Sequence, residues 1–107
     1  MRLLNLSFMV VGAAVAASQV HAQGTGDLQQ GRALAEQVCS ECHAVRAADA
    51  RSPNALAPRF EAVAATPGMT GAALNAFLHT SHRAMPNLIL TADQTNGIIA
   101  YILSLKK

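Results

Sequence analysis

The 107-residue chain has two cysteines, and both stand in one short run, Cys39-Ser40-Glu41-Cys42-His43. What those thiols do depends first on where the chain works. Residues Met1–Ala22 read as an export signal: Arg2, an apolar run from Leu6 to Ala17, then Val20-His21-Ala22. Small or aliphatic residues at the third and first positions before the cut are what signal peptidase accepts. The apolar run is about a dozen residues, short of the ~20 that span a bilayer. The expected product is a single domain over residues 23–107, released to the periplasm by cleavage after Ala22, with no membrane span in the mature chain. His21 leaves with the signal. In such an oxidising compartment, free thiol pairs normally become disulfides.

The mature domain is short of large side chains. After Ala22 only Phe60, Phe77 and Tyr101 are aromatic, tryptophan is absent, and about a fifth of the residues are alanine. A chain of ~60–90 residues is already marginal on surface-to-volume grounds. Some other body is needed to supply apolar volume. The low charged share, 13%, argues against disorder. Seven Lys and Arg against six Asp and Glu leave the mature chain at +1, with no basic cluster to bind nucleic acid.

The capping and spacing signals predict an all-α chain with three principal helices. Asp27, with Gln30 three residues on, starts the first, whose stripe is Leu28, Gly31, Leu34, Ala35 and Val38; it ends near Cys39–Cys42. Residues 44–58 form a loop broken by Pro53 and Pro58. Phe60–Ala65 makes a short helix before the turn at Thr66-Pro67-Gly68. Thr70 caps a second full helix to about Leu78 or His79, with Ala73, Leu74, Phe77 and Leu78 inward. Residues 81–90 are another loop. Thr91 with Gln94 opens the last helix, to about Leu105, with Ile98, Tyr101, Ile102 and Leu105 as its stripe. Lys106 and Lys107 suit its C-terminal dipole. Loops this long need something to wrap around.

Cys-x-x-Cys-His supplies that body. Thiols three residues apart on a helical turn can each add to a vinyl group on one haem edge, and His43 then lies under the macrocycle to bind iron. One haem c, held covalently through Cys39 and Cys42, would remove the thiols from disulfide chemistry, fill the thin core and give the loops a surface to cover. Three alternatives compete. A thioredoxin-like dithiol wants a βαβ setting, and no strand precedes Cys39. A zinc site of Cys39, Cys42, His79 and His82 has tight His spacing and leaves His43 unused. A Cys39–Cys42 disulfide closes too small a loop to stabilise much.

The sixth iron position has four candidates: Met69, Met85, His79 and His82. Met85 is favoured, because it sits in a loop and Pro86 stiffens the backbone just beyond its sulfur. Met69 precedes the Thr70 cap, where an apolar residue is more simply a staple on that helix. His82 is the main rival, since imidazole binds iron more strongly.

Cys39-x-x-Cys42-His43, Ala57-Pro58, Met85-Pro86-Asn87 and Ala100-Tyr101-Ile102 together resemble a small class I cytochrome c, across residues 27–105. The resemblance implies the cytochrome c fold, with Gly31, eight residues before Cys39, letting the last helix cross closely against Tyr101. Ala35 stands where the family often has an aromatic. It implies that a proline carbonyl, Pro58 or failing that Pro53, accepts the proton of the His43 ring. It also implies a one-electron carrier and not an enzyme, with His43 and Met85 on iron. Such a carrier would run between a dehydrogenase or quinol-oxidising complex and a terminal oxidase or other cytochrome. Redox partners would dock transiently at the haem edge, with the chain a monomer or the small subunit of a redox enzyme. The competing class is a ligand-binding, sensor or peroxidase-type haem protein whose sixth ligand is labile.

Overall fold

Four helices form among the described residues, three of them behind a side-chain cap that the sequence supplies. The computed structural model describes residues 26–81 and 84–107, so the expected export signal and His82 lie outside the described residues. Helix α1 is Leu28–Val38, α2 is Phe60–Ala65, α3 is Gly71–Leu78 and α4 is Ala92–Ser104. The Asp27 carboxylate accepts from the backbone N–H groups of Gln29 and Gln30. Thr70 accepts from Ala73 N–H. Thr91 and Gln94 form a reciprocal capping box, each side chain accepting from the other's backbone N–H. These bonds satisfy donors that a helix start otherwise leaves orphaned. No strand occurs among the described residues.

The main packing event is the crossing of α1 and α4. A Cβ at Gly31 would overlap the Gly97 carbonyl, and one at Gly97 would come within 3.0 Å of the Asp27 carbonyl oxygen. The expected role of Gly31 therefore holds, but the residue facing it is Gly97, which the sequence reading did not single out. Ala35 is fully buried, so the small side chain at that position keeps the two backbones close. Tyr101 is buried further along α4, and its hydroxyl donates to the Val45 carbonyl. That bond ties the segment just after His43 to the last helix.

Ala35, Phe60, Ala64, Leu74, Ile98, Tyr101 and Ile102 form the core, with Cys39 and Val45 at its edge. Three expected inward residues are more open than their helical position implied. Leu28 is exposed at the first turn of α1. Val38 and Phe77 are 47% and 57% exposed, yet both line the large cavity described below. Their faces point to that cavity instead of to protein. Lys107 does not merely sit at the end of α4: its ammonium reaches Glu61 on α2 at 2.7 Å, and Arg59 holds the other carboxylate oxygen at 2.7 Å.

A cavity lined by both thiols, His43 and Met85

Helix α1 ends at Val38, and Cys39 is its C-cap. The chain then continues in tight turns, with Cys42 N–H and His43 N–H both bonded to the Cys39 carbonyl. This geometry brings both cysteines and His43 to one end of α1. The following loop is wired back onto them. Asn54 N–H donates to the Cys42 carbonyl, Phe60 N–H to the Ala44 carbonyl, and Ala44 N–H to the Ser52 hydroxyl. Residues 52–60 are thereby held as one wall beside His43.

The His43 ring is held from two sides. Its Nδ1 lies 2.6 Å from the Pro58 carbonyl oxygen. A carbonyl can only accept, so Nδ1 is the donor, and in the neutral ring Nε2 is then the atom with a lone pair to offer a metal. The Phe60 ring packs against it with centroids 5.3 Å apart and planes tilted by 51°. Of the two prolines the resemblance allowed, Pro58 is the one bonded to His43.

Cys39, Cys42, His43, Pro58 and Met85 all line one cavity of about 800 Å³. Its size falls toward the top of the range for cofactor sites, about 300–1,000 Å³. The walls are mainly apolar: Phe60, Val63, Leu74, Leu78 and Ile102 from the core side, Val38, Leu56 and Phe77 at the more open side. A large flat apolar group fits this lining. Thiols on one wall can bond its edge, and an imidazole whose Nε2 is unprotonated can serve as a metal ligand. Both thiols are free, not paired with each other. Before haem attachment, burial pushes the Cys39 thiol up to about 11.

Met69 also lines the cavity, but it packs against the core cluster, as a staple on α3 would. Met85 comes from the loop between α3 and α4. His79 does not line the cavity; its Nδ1 bonds the Asn75 carbonyl at 2.9 Å and its Nε2 lies 3.5 Å from the buried Thr95 hydroxyl. No three His, Cys, Asp or Glu side chains among the described residues are grouped to hold a metal ion, so Cys39, Cys42 and His79 do not converge as the zinc alternative requires.

An all-α fold around a cavity that pairs Cys-x-x-Cys-His with an apolar interior defines a c-type cytochrome domain. The family model described as cytochrome c oxidase, cbb3-type, subunit III matches residues 26–102, and the chain belongs to that family. It therefore carries haem c, attached through Cys39 and Cys42, and its general role is that of an electron carrier. No curated protein and no solved structure gives a significant match. No helix among the described residues is long and apolar enough to cross a membrane.

Proposed function

We propose that the protein is an exported, single-haem electron carrier with His43 and Met85 as the two axial ligands of iron. One observation carries this reading: His43, both thiols and Met85 line the same cavity. With His43 and Met85 both on iron, no position would be left open for a substrate, and the haem group would supply one-electron transfer. A thioether ligand favours ferrous iron and raises the potential relative to two imidazoles. The Pro58 carbonyl fixes the His43 ring through Nδ1–H, a bond that orients such a ligand and adjusts its basicity.

In this reading residues 1–22 are removed after Ala22, and residues 23–107 work in the periplasm as a monomer or as the small subunit of a redox enzyme. The electron passes between a dehydrogenase or quinol-oxidising complex and a terminal oxidase or another cytochrome. The family's own description, an oxidase subunit, favours the oxidase end of that path. Val38, Leu56 and Phe77, at 47%, 85% and 57% exposure along the cavity, supply an apolar rim for a small, transient interface.

Carbon monoxide tests the reading. Ferrous wild-type holoprotein at neutral pH is expected to bind it slowly and incompletely, and Met85→Ala rapidly and fully. Rapid, complete binding by wild type would instead mark a sensor or peroxidase-type haem protein with a labile sixth ligand.

A further inference from the structure

Three restraints converge on the short loop that carries Met85. Ala84, immediately before it, has φ of +61°, a left-handed conformation that a residue with a Cβ seldom adopts. Pro86, immediately after it, confines Met85 to extended backbone. Outside both, the Ser81 hydroxyl donates to the Asn87 side-chain oxygen at 2.8 Å, closing the loop across its ends. Ala84, Met85, Pro86 and Leu88 all line the haem cavity. The left-handed residue and the proline thus flank Met85 directly on that wall.

We propose that Ser81, Ala84 and Asn87 are positioning residues for the Met85 sulfur: the Ser81–Asn87 bond is a clasp, and the Ala84 turn aims the thioether into the cavity. The proposal rests on Met85 being the sixth iron ligand. A thioether is a weak ligand, so the population in which the loop has swung open governs how readily an external ligand reaches iron. The apparent affinity for such a ligand scales with that open population. The clasp keeps the population small and the sixth position closed.

Imidazole titration of the ferric holoprotein, followed by loss of the thioether–iron charge-transfer band, reads that population. Ser81→Ala and Asn87→Ala are each expected to raise imidazole affinity about two- to tenfold, the change one neutral hydrogen bond corresponds to. The double variant should match the singles, because the same bond is lost only once. Asn87→Asp keeps an acceptor opposite Ser81 and should stay at the wild-type affinity. Ala84→Gly, which tolerates positive φ, should stay within about twofold of wild type. Ala84→Val, β-branched and intolerant of that conformation, should raise affinity more than about tenfold. Additive effects of Ser81→Ala and Asn87→Ala, or no effect of either, would overturn the clasp. Equal behaviour of Ala84→Gly and Ala84→Val would overturn the turn. Met85→Ala separates the two levels: it must lose the band and bind imidazole more tightly than any loop variant. If the band survives in Met85→Ala, the ligand assignment itself has failed.

Discussion

Replacing Gly31 by alanine tests the closest contact in the fold. Two opposed effects follow from the structure. Alanine inside a helix is favoured over glycine by about 1 kcal/mol. Against that, its Cβ would overlap the Gly97 carbonyl, a backbone group that cannot swing aside, so α1 and α4 must separate. Overpacking of this kind costs about 1–3 kcal/mol, sometimes more, and here it also loosens the buried contacts of Ala35, Ile98 and Tyr101. An overlap with backbone puts the cost at the upper end, about 3 kcal/mol, so after the helix gain of about 1 kcal/mol we expect a net loss of about 2 kcal/mol, which lowers the midpoint of a domain this size by roughly 8–16 °C. Thermal unfolding of the holoprotein, followed by far-ultraviolet circular dichroism, reads it. Gly71→Ala is the control: its Cβ would meet only Ile99 Cγ2, at 3.5 Å, and it should leave the midpoint unchanged or raise it by a few degrees. Gly97→Ala should fall between them, since its Cβ contacts of 3.0–3.2 Å need only a small shift. A Gly31→Ala protein as stable as wild type would refute the reasoning, because the overlap would then have been relieved without cost.

Further outcomes follow from the charges and the cavity. Arg32 and then Arg46 hold the Glu36 carboxyl below its ordinary range, and Lys107 and then Arg59 do the same for Glu61. Each pair stabilises the fold above the unfolded carboxylate value of about 4.3 and loses that contribution as pH falls through the lower folded value. Denaturant midpoints of wild type and Glu36→Gln should therefore differ at pH 7 and converge as the pH falls below the unfolded carboxylate value and through the lower folded one. Residues 23–107 carry seven Lys and Arg against six Asp and Glu, a net +1, and two haem propionates bring this to about −1, with no lysine before Lys106 to steer a partner. Its association rate with a redox partner should change less than about threefold between 50 and 200 mM salt, measured by stopped flow. Tyr101→Phe removes the buried bond to the Val45 carbonyl. Leaving that acceptor unpaired should cost about 1–3 kcal/mol in chemical denaturation.

The helices and the haem-bearing motif were legible because their signals are local. Asp27, Thr70 and the Thr91–Gln94 pair cap helices within a turn of themselves, and Cys39, Cys42 and His43 need only five consecutive positions. Pro58 came only from the family resemblance, since its carbonyl meets His43 across fifteen residues. Gly97 escaped notice, although a glycine mid-helix, where it costs about 1 kcal/mol against alanine, is itself a packing signal. Phe77 was assigned to the protein core because helical periodicity marks an apolar face without saying what covers it; the face looks onto the cavity. Ala84 carries no signal, because alanine, unlike glycine or asparagine, gives no hint in the sequence of the positive φ found there. The Ser81–Asn87 bond spans a loop whose path no periodicity describes.

Met85 as the sixth ligand is the assignment on which the carrier reading turns. Iron K-edge X-ray absorption of the ferrous holoprotein measures it at the metal. One sulfur scatterer should be present in wild type and in Met69→Ala, and absent in Met85→Ala. A wild-type spectrum with no sulfur scatterer, or one that survives in Met85→Ala, would contradict the account.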